Sequence, residues 1–175
     1  AESQFGQTGT SIATLQEAMA LHPASQRLQR MLAVQYFEAG DYVKAQDNYR
    51  MLVEKDSMDV SSWLKLADIA SFRQQNTQVI EALNKVLLID SINLQGLMKM
   101  GDILQRHRHS GAIVYFQKAY RLYPYNQNAA YAVGNLHIQH KEPWKAIPVC
   151  ESMLRLDTFS IKFSKLLGYA HYKVG

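Results

Sequence analysis

The chain has 175 residues, of which 47% are hydrophobic and 19% charged, with four prolines and one cysteine. That composition is too apolar for a disordered chain and too poor in proline and glycine for a collagen-like one, and a lone cysteine excludes an internal disulfide. The net charge of +4 is unevenly spread: residues 1–90 carry 8 Lys and Arg against 11 Asp and Glu, or −3, and residues 91–175 carry 11 against 4, or +7.

Residues 1–10, AESQFGQTGT, are polar and lack a helical pattern, so a flexible leader is expected. They have neither the basic start nor the apolar run of a signal peptide, and the start of a mature chain left after cleavage is the other reading of them. Residues 11–23 read as a helix that ends at Pro23. From residue 26 onward the chain repeats itself. Ala33, Ala67, Gly101, Gly134 and Gly168 are 34, 34, 33 and 34 residues apart. Ala45, Val79, Ala112 and Ala146 keep step, as do Pro23, Ser57, Ser91, Pro124 and Thr158. The repeats are 26–59, 60–93, 94–126 and 127–160, with partial repeats at 11–25 and 161–175. A period of this length marks a repeat array.

Each repeat reads as two helices. In 60–93, Trp63, Leu66, Ala67 and Ala70 share one helical face, and Val79, Leu83 and Val86 share another after the polar break at 74–77. Trp63 is expected to fill the gap between helices. Gly40 should take the left-handed conformation in the first turn. The one missing residue lies between Gly101 and Ala112, and the turn 107–111 is where a deletion costs least. Gly101, Gly134 and Gly168 are expected where each first helix presses on the second of its own pair. No apolar run reaches the ~18 residues that a membrane span needs.

These residues resemble the tetratricopeptide repeat, whose pattern is W-x2-L-G-x2-Y, then A-x3-F, then P. W-L-K-L-A-D-I-A at 63–70 matches the first block with Ala67 at the small position and Ala70 in place of the aromatic, and A-I-V-Y-F-Q-K-A-Y-R-L-Y-P at 112–124 matches the second. L-A-V-Q-Y at 32–36 and L-G-Y-A-H at 167–171 match in part. The resemblance implies an all-α fold, a right-handed superhelix (an α-solenoid) of stacked antiparallel helix pairs. It also implies a concave groove, lined by the first helices, that binds a peptide or partner protein. Both ends fall inside a repeat, so the array is expected to be cut from a longer chain, or capped by a partner or a second copy through the open last helix.

Carried onto this chain, the groove positions give the candidate contacts Arg30, Leu64, Asp68, Met98, Asp102 and Arg106 in the first three repeats. They continue as Tyr131 and Asn135, then Lys162, Lys165, Tyr169 and Tyr172 in the last helix. Aromatic and apolar members should carry affinity. Arg106, Lys162 and Lys165 should attract acidic groups. Val34, Asp68, Asp102, Asn135 and Tyr169 form one row, in which Asn135 alone has the amide that can both donate to and accept from a peptide backbone. The clamp for a chaperone's C-terminal carboxylate is missing: its positions hold Arg30, Val34, Lys65, Gln95 and Lys99.

No catalytic constellation and no cofactor motif is visible, so a non-enzymatic protein is expected. His107, His109, His137 and His140 lack the closed ligand set of a zinc site, and His137 and His171 fall at core positions of the repeat. Pro148 should bend its helix. The reading is a protein-interaction scaffold. The +7 half keeps RNA binding as the alternative, although the groove positions are not consistently basic. A recruiting segment of a larger enzyme is the third reading. The compartment is not legible.

Overall fold

The computed structural model describes residues 2–175, with side chains from residue 9 onward. It contains ten α-helices and no strand among the described residues. The chain divides into two compact units, Ala1–Ser91 and Ile92–Gly175. The first holds α1 (Glu2–Leu21), α2 (Gln26–Glu38), α3 (Tyr42–Lys55), α4 (Val60–Phe72) and α5 (Asn76–Ile89). The second holds α6 (Leu94–Arg106), α7 (Ala112–Leu122), α8 (Gln127–Gln139), α9 (Pro143–Leu156) and α10 (Ile161–Val174). Within each unit, helices consecutive in sequence pack on one another as pairs joined by short turns.

The first helices of the pairs start at side-chain caps that follow the repeat. Ser25, Asp59, Asn93 and Asn126 each accept a hydrogen bond from the backbone N–H three residues on, which satisfies one donor that the helix itself leaves unpaired. The turns end in left-handed backbone at Gly40, Gln74, Arg108 and Lys141, with φ of 76°, 57°, 53° and 63°. Gly40 therefore does what the sequence suggested, while three side-chain-bearing residues adopt the same conformation elsewhere.

These turns also locate the missing residue. Arg108 keeps its distance from Gly101, so the loss falls between Arg108 and Ala112. As a result α7 has 11 residues where α3, α5 and α9 have 14. One first turn of helix is absent and the packed face is kept.

Three details differ from the sequence reading. Helix α1 begins at Glu2, so the stretch taken as a patternless leader is helical from there on. Trp63 is only half-buried, its indole donating to the Ser57 carbonyl at 3.0 Å, so it fills less of the interhelical gap than expected. Gly134 meets the next repeat rather than its own pair most closely: a Cβ there would lie 3.0 Å from Leu166, and 3.9 and 4.0 Å from Cys150 and Ala146. Gly101 behaves as expected, since its Cβ would lie 2.6 Å from the fully buried ring of Phe116 on α7. At Gly168 nothing lies within 4 Å. Helix α9 runs through Pro148 without a break.

Candidate functional site

In the first unit, Arg30 on α2 is occupied within the protein. Its guanidinium donates to the Asp59 carboxylate at 2.6 Å and to the Ser61 and Ser62 hydroxyls at 2.9 and 3.1 Å. Burial opposes ionisation of Asp59, but the bonds from Arg30, Ser62 and Ser61 outweigh it and hold the carboxyl well below the usual range. Arg30 thus fastens α2 to the start of α4. Leu64 and Asp68 are half-buried on α4. Between α1 and α2 lies an open pocket of about 560 Å³, walled by Thr14, Leu15, Met31 and Val34.

The first unit also carries a ring cluster at the C-terminal ends of α2 and α4. Phe37 meets Tyr42 and Phe72 edge-on, with ring centroids at 5.6 and 5.8 Å. Tyr42 and Phe72 stack at 5.2 Å and 4°. The Lys65 ammonium lies 4.9 Å from the Phe37 centroid, within cation–π reach.

In the second unit, Met98 packs against the core formed by Ala112, Phe116, Val133 and Leu136, so it is partly consumed by packing. Asp102 reaches the surface of α6. Even so, the surrounding protein withholds enough water to push its carboxyl up, against the pull of Arg106 and Lys99. Arg106 is exposed at the end of the same helix.

The remaining candidates lie on α8 and α10, which pack on each other. Tyr131 rests edge-on against Phe163 at 6.2 Å, and the Lys162 ammonium sits 4.2 Å from its ring centroid. The same ammonium donates to Asn128 Oδ1 at 3.4 Å. Lys165 is exposed. Tyr169 and Tyr172 are 49% and 77% exposed and lie 6.4 Å apart, centroid to centroid. Asn135 is half-buried, and its amide has no hydrogen-bond partner among the described residues.

Asn135 and Tyr169 also wall an open pocket of about 620 Å³ between α8, α10 and the start of α9. Its other walls are Ile138, Pro143, Trp144 and Val174, and Gln139, Lys141 and Lys173 add polar lining. Trp144 is 57% exposed. The sequence reading passed over it because it lies in the second helix of its pair, away from the expected groove. The missed signal was the loss, in this repeat, of the aromatics that Phe37 and Tyr42 supply in the first.

The histidines are structural or exposed. His137 is buried, with Nδ1 3.2 Å from Glu142 and Nε2 3.4 Å from the Gln117 amide. His171 is exposed, against the expectation of a core position. Among the described residues no group of three or more His, Cys, Asp or Glu could hold a metal ion. No helix among them is long and apolar enough to cross a membrane.

The tetratricopeptide-repeat family pattern matches residues 29–57. No curated protein sequence matches the chain. Among solved structures, MamA superposes with a TM-score of 0.75 at 21% identity, covering 86% of this chain and 82% of its own. A tetratricopeptide repeat protein from Parabacteroides merdae gives 0.78 at 13%, covering 97% and 68%. PilF of Pseudomonas aeruginosa gives 0.67 at 23%, covering 85% and 68%. The likeness at these identities is one of fold.

Proposed function

We propose that this tetratricopeptide-repeat chain is a protein-interaction scaffold, and that a peptide or partner protein lies along the exposed face of α8 and α10. Proteins of this repeat class generally mediate protein–protein interaction. The observation that carries the assignment is the concentration there of cations and of rings, half-buried at Tyr131 and exposed at Tyr169 and Tyr172. Tyr131, Tyr169 and Tyr172 offer large, rigid contact area, and Lys162 and Lys165 offer charge. Helix α10 has no acidic residue at all. The partner surface is accordingly apolar with carboxylates around it.

Capture from a lysate of the source organism tests this. Beads carrying the chain should retain a protein that beads carrying Tyr131→Ala with Lys165→Glu lose. Equal retention by both removes the assignment. RNA binding is the competing reading, favoured by the +7 of residues 91–175. It replaces the scaffold reading if retention is RNase-sensitive and falls steeply with salt.

A further inference from the structure

The pocket between α8, α9 and α10 has a counterpart in the first unit, and the two differ in one respect. Ala33 and Gly134 are equivalent positions 101 residues apart. Stepping the same distance from Phe37, Tyr42 and Phe72 leads to Ile138, Pro143 and Lys173. In the first unit those three side chains are rings in mutual contact, at 5.2 to 5.8 Å between centroids. In the second they are an isoleucine, a proline and a lysine, and they line an open volume of about 620 Å³. This corner of the repeat accommodates a cluster of protein aromatics, and in the second unit the residues at those three positions do not supply them.

The walls that remain suit an incoming ring. Trp144 and Tyr169 are large, half-exposed aromatics, and rings associate edge-on or offset by more than their buried area alone provides. The charged groups around them are of one sign. Lys141 and Lys173 line the pocket and no carboxylate does. Lys173 lies 5.3 and 5.7 Å from the ring centroids of Tyr169 and Tyr172, and no acidic partner holds it among the described residues. The Asn135 amide is free to pair with a peptide bond.

We infer that this pocket receives an aromatic side chain of a partner peptide, with a carboxylate beside it that pairs with Lys173 and Lys141. The inference rests on the scaffold reading above and adds the chemistry of what is read. Protein rings are favoured over nucleobases because the equivalent corner of the first unit is filled by phenylalanine and tyrosine.

The test is selection of a displayed random dodecapeptide library on the purified chain, followed by anisotropy measurements with the labelled consensus peptide. Recovered peptides should share a Phe, Tyr or Trp next to an Asp or Glu, and replacing that aromatic by alanine should abolish binding. Trp144→Ala and Lys173→Glu should each weaken binding about tenfold. Ile138→Phe combined with Lys173→Phe rebuilds two of the first unit's rings, so it should close the pocket and abolish binding while the helical circular dichroism is kept. Peptides without the aromatic–acid pair, or without sensitivity to Trp144→Ala and to the ring-restoring double variant, overturn the pocket. If such peptides lose affinity with Tyr131→Ala, the scaffold reading survives. Absence of any enriched peptide, or tighter binding of a single-stranded RNA 12-mer than of any peptide, also overturns the pocket assignment. The lysate capture then judges the scaffold reading separately.

Discussion

The Arg30 guanidinium grips the Asp59 carboxylate at 2.6 Å, and that contact joins the middle of α2 to the N-cap of α4. Asp59 therefore has two tasks: it pairs with a cation, and it accepts from the Ser62 backbone N–H. Its folded carboxyl ionises more readily than the unfolded one, so its contribution is full at neutral pH and drains away as pH falls below the ordinary carboxylate range. Asp59→Ala is expected to cost about 1–2 kcal/mol at pH 7, most of it the lost cap, because Arg30 is 41% exposed and solvent screens the pair. Urea titrations at pH 7 and pH 3 check this. A stability gap between parent and variant that does not shrink at pH 3 contradicts it.

The glycines of the repeat should not respond alike. Gly101→Ala is expected to lose about 1–3 kcal/mol, because the new methyl would sit 2.6 Å from the immobile Phe116 ring. Gly168→Ala meets nothing within 4 Å and should gain about 0.5–1 kcal/mol from helix propensity. Thermal melts of the pair would show opposite shifts, and shifts of the same sign would break the argument.

Gln29 occupies the repeat position of Trp63 and Leu97, 34 and 68 residues before them. It is fully buried; its Oε1 accepts from Lys55 at 3.3 Å, and its Nε2 has no partner. Gln29→Leu removes that unpaired donor, so a gain of about 1 kcal/mol is expected. Chemical denaturation measures it, and a loss of stability would show that the amide contributes more than it costs.

Cys150 has no exposed surface, and burial, aided by Glu151, pushes its thiol up to about 11. Thiolate, not thiol, is the reacting form, so the native chain should be inert to a disulfide reagent at pH 7.5 and react at once in denaturant. Rapid labelling of the folded protein would place this thiol at the surface instead.

The repeat was legible because small residues recur where helices approach closely: Gly101 against Phe116 shows that approach, while Gly168 keeps the spacing with open space around it. Side-chain commitments were less legible. Arg30 read as a groove contact because nothing in the local sequence shows that Asp59, 29 residues on, folds back beneath it. Trp63 read as core because indoles at that position fill gaps, yet here its edge reaches solvent. The start of α1 was hidden by Gly6, Thr8, Gly9 and Thr10, residues of low helix propensity. The pocket was invisible because it consists of side chains that are not there. Only a comparison of Phe37, Tyr42 and Phe72 with Ile138, Pro143 and Lys173 brings it out.

The short start of α7 has a practical meaning. The segment from His109 to Gly111 has already absorbed a change of length without moving Gly101 off Phe116, because both flanking faces are registered by packing and not by the loop. It is a natural seam. A short epitope or a fluorophore-bearing cysteine built in there would report on the chain while leaving Cys150 buried and the α8–α10 face untouched.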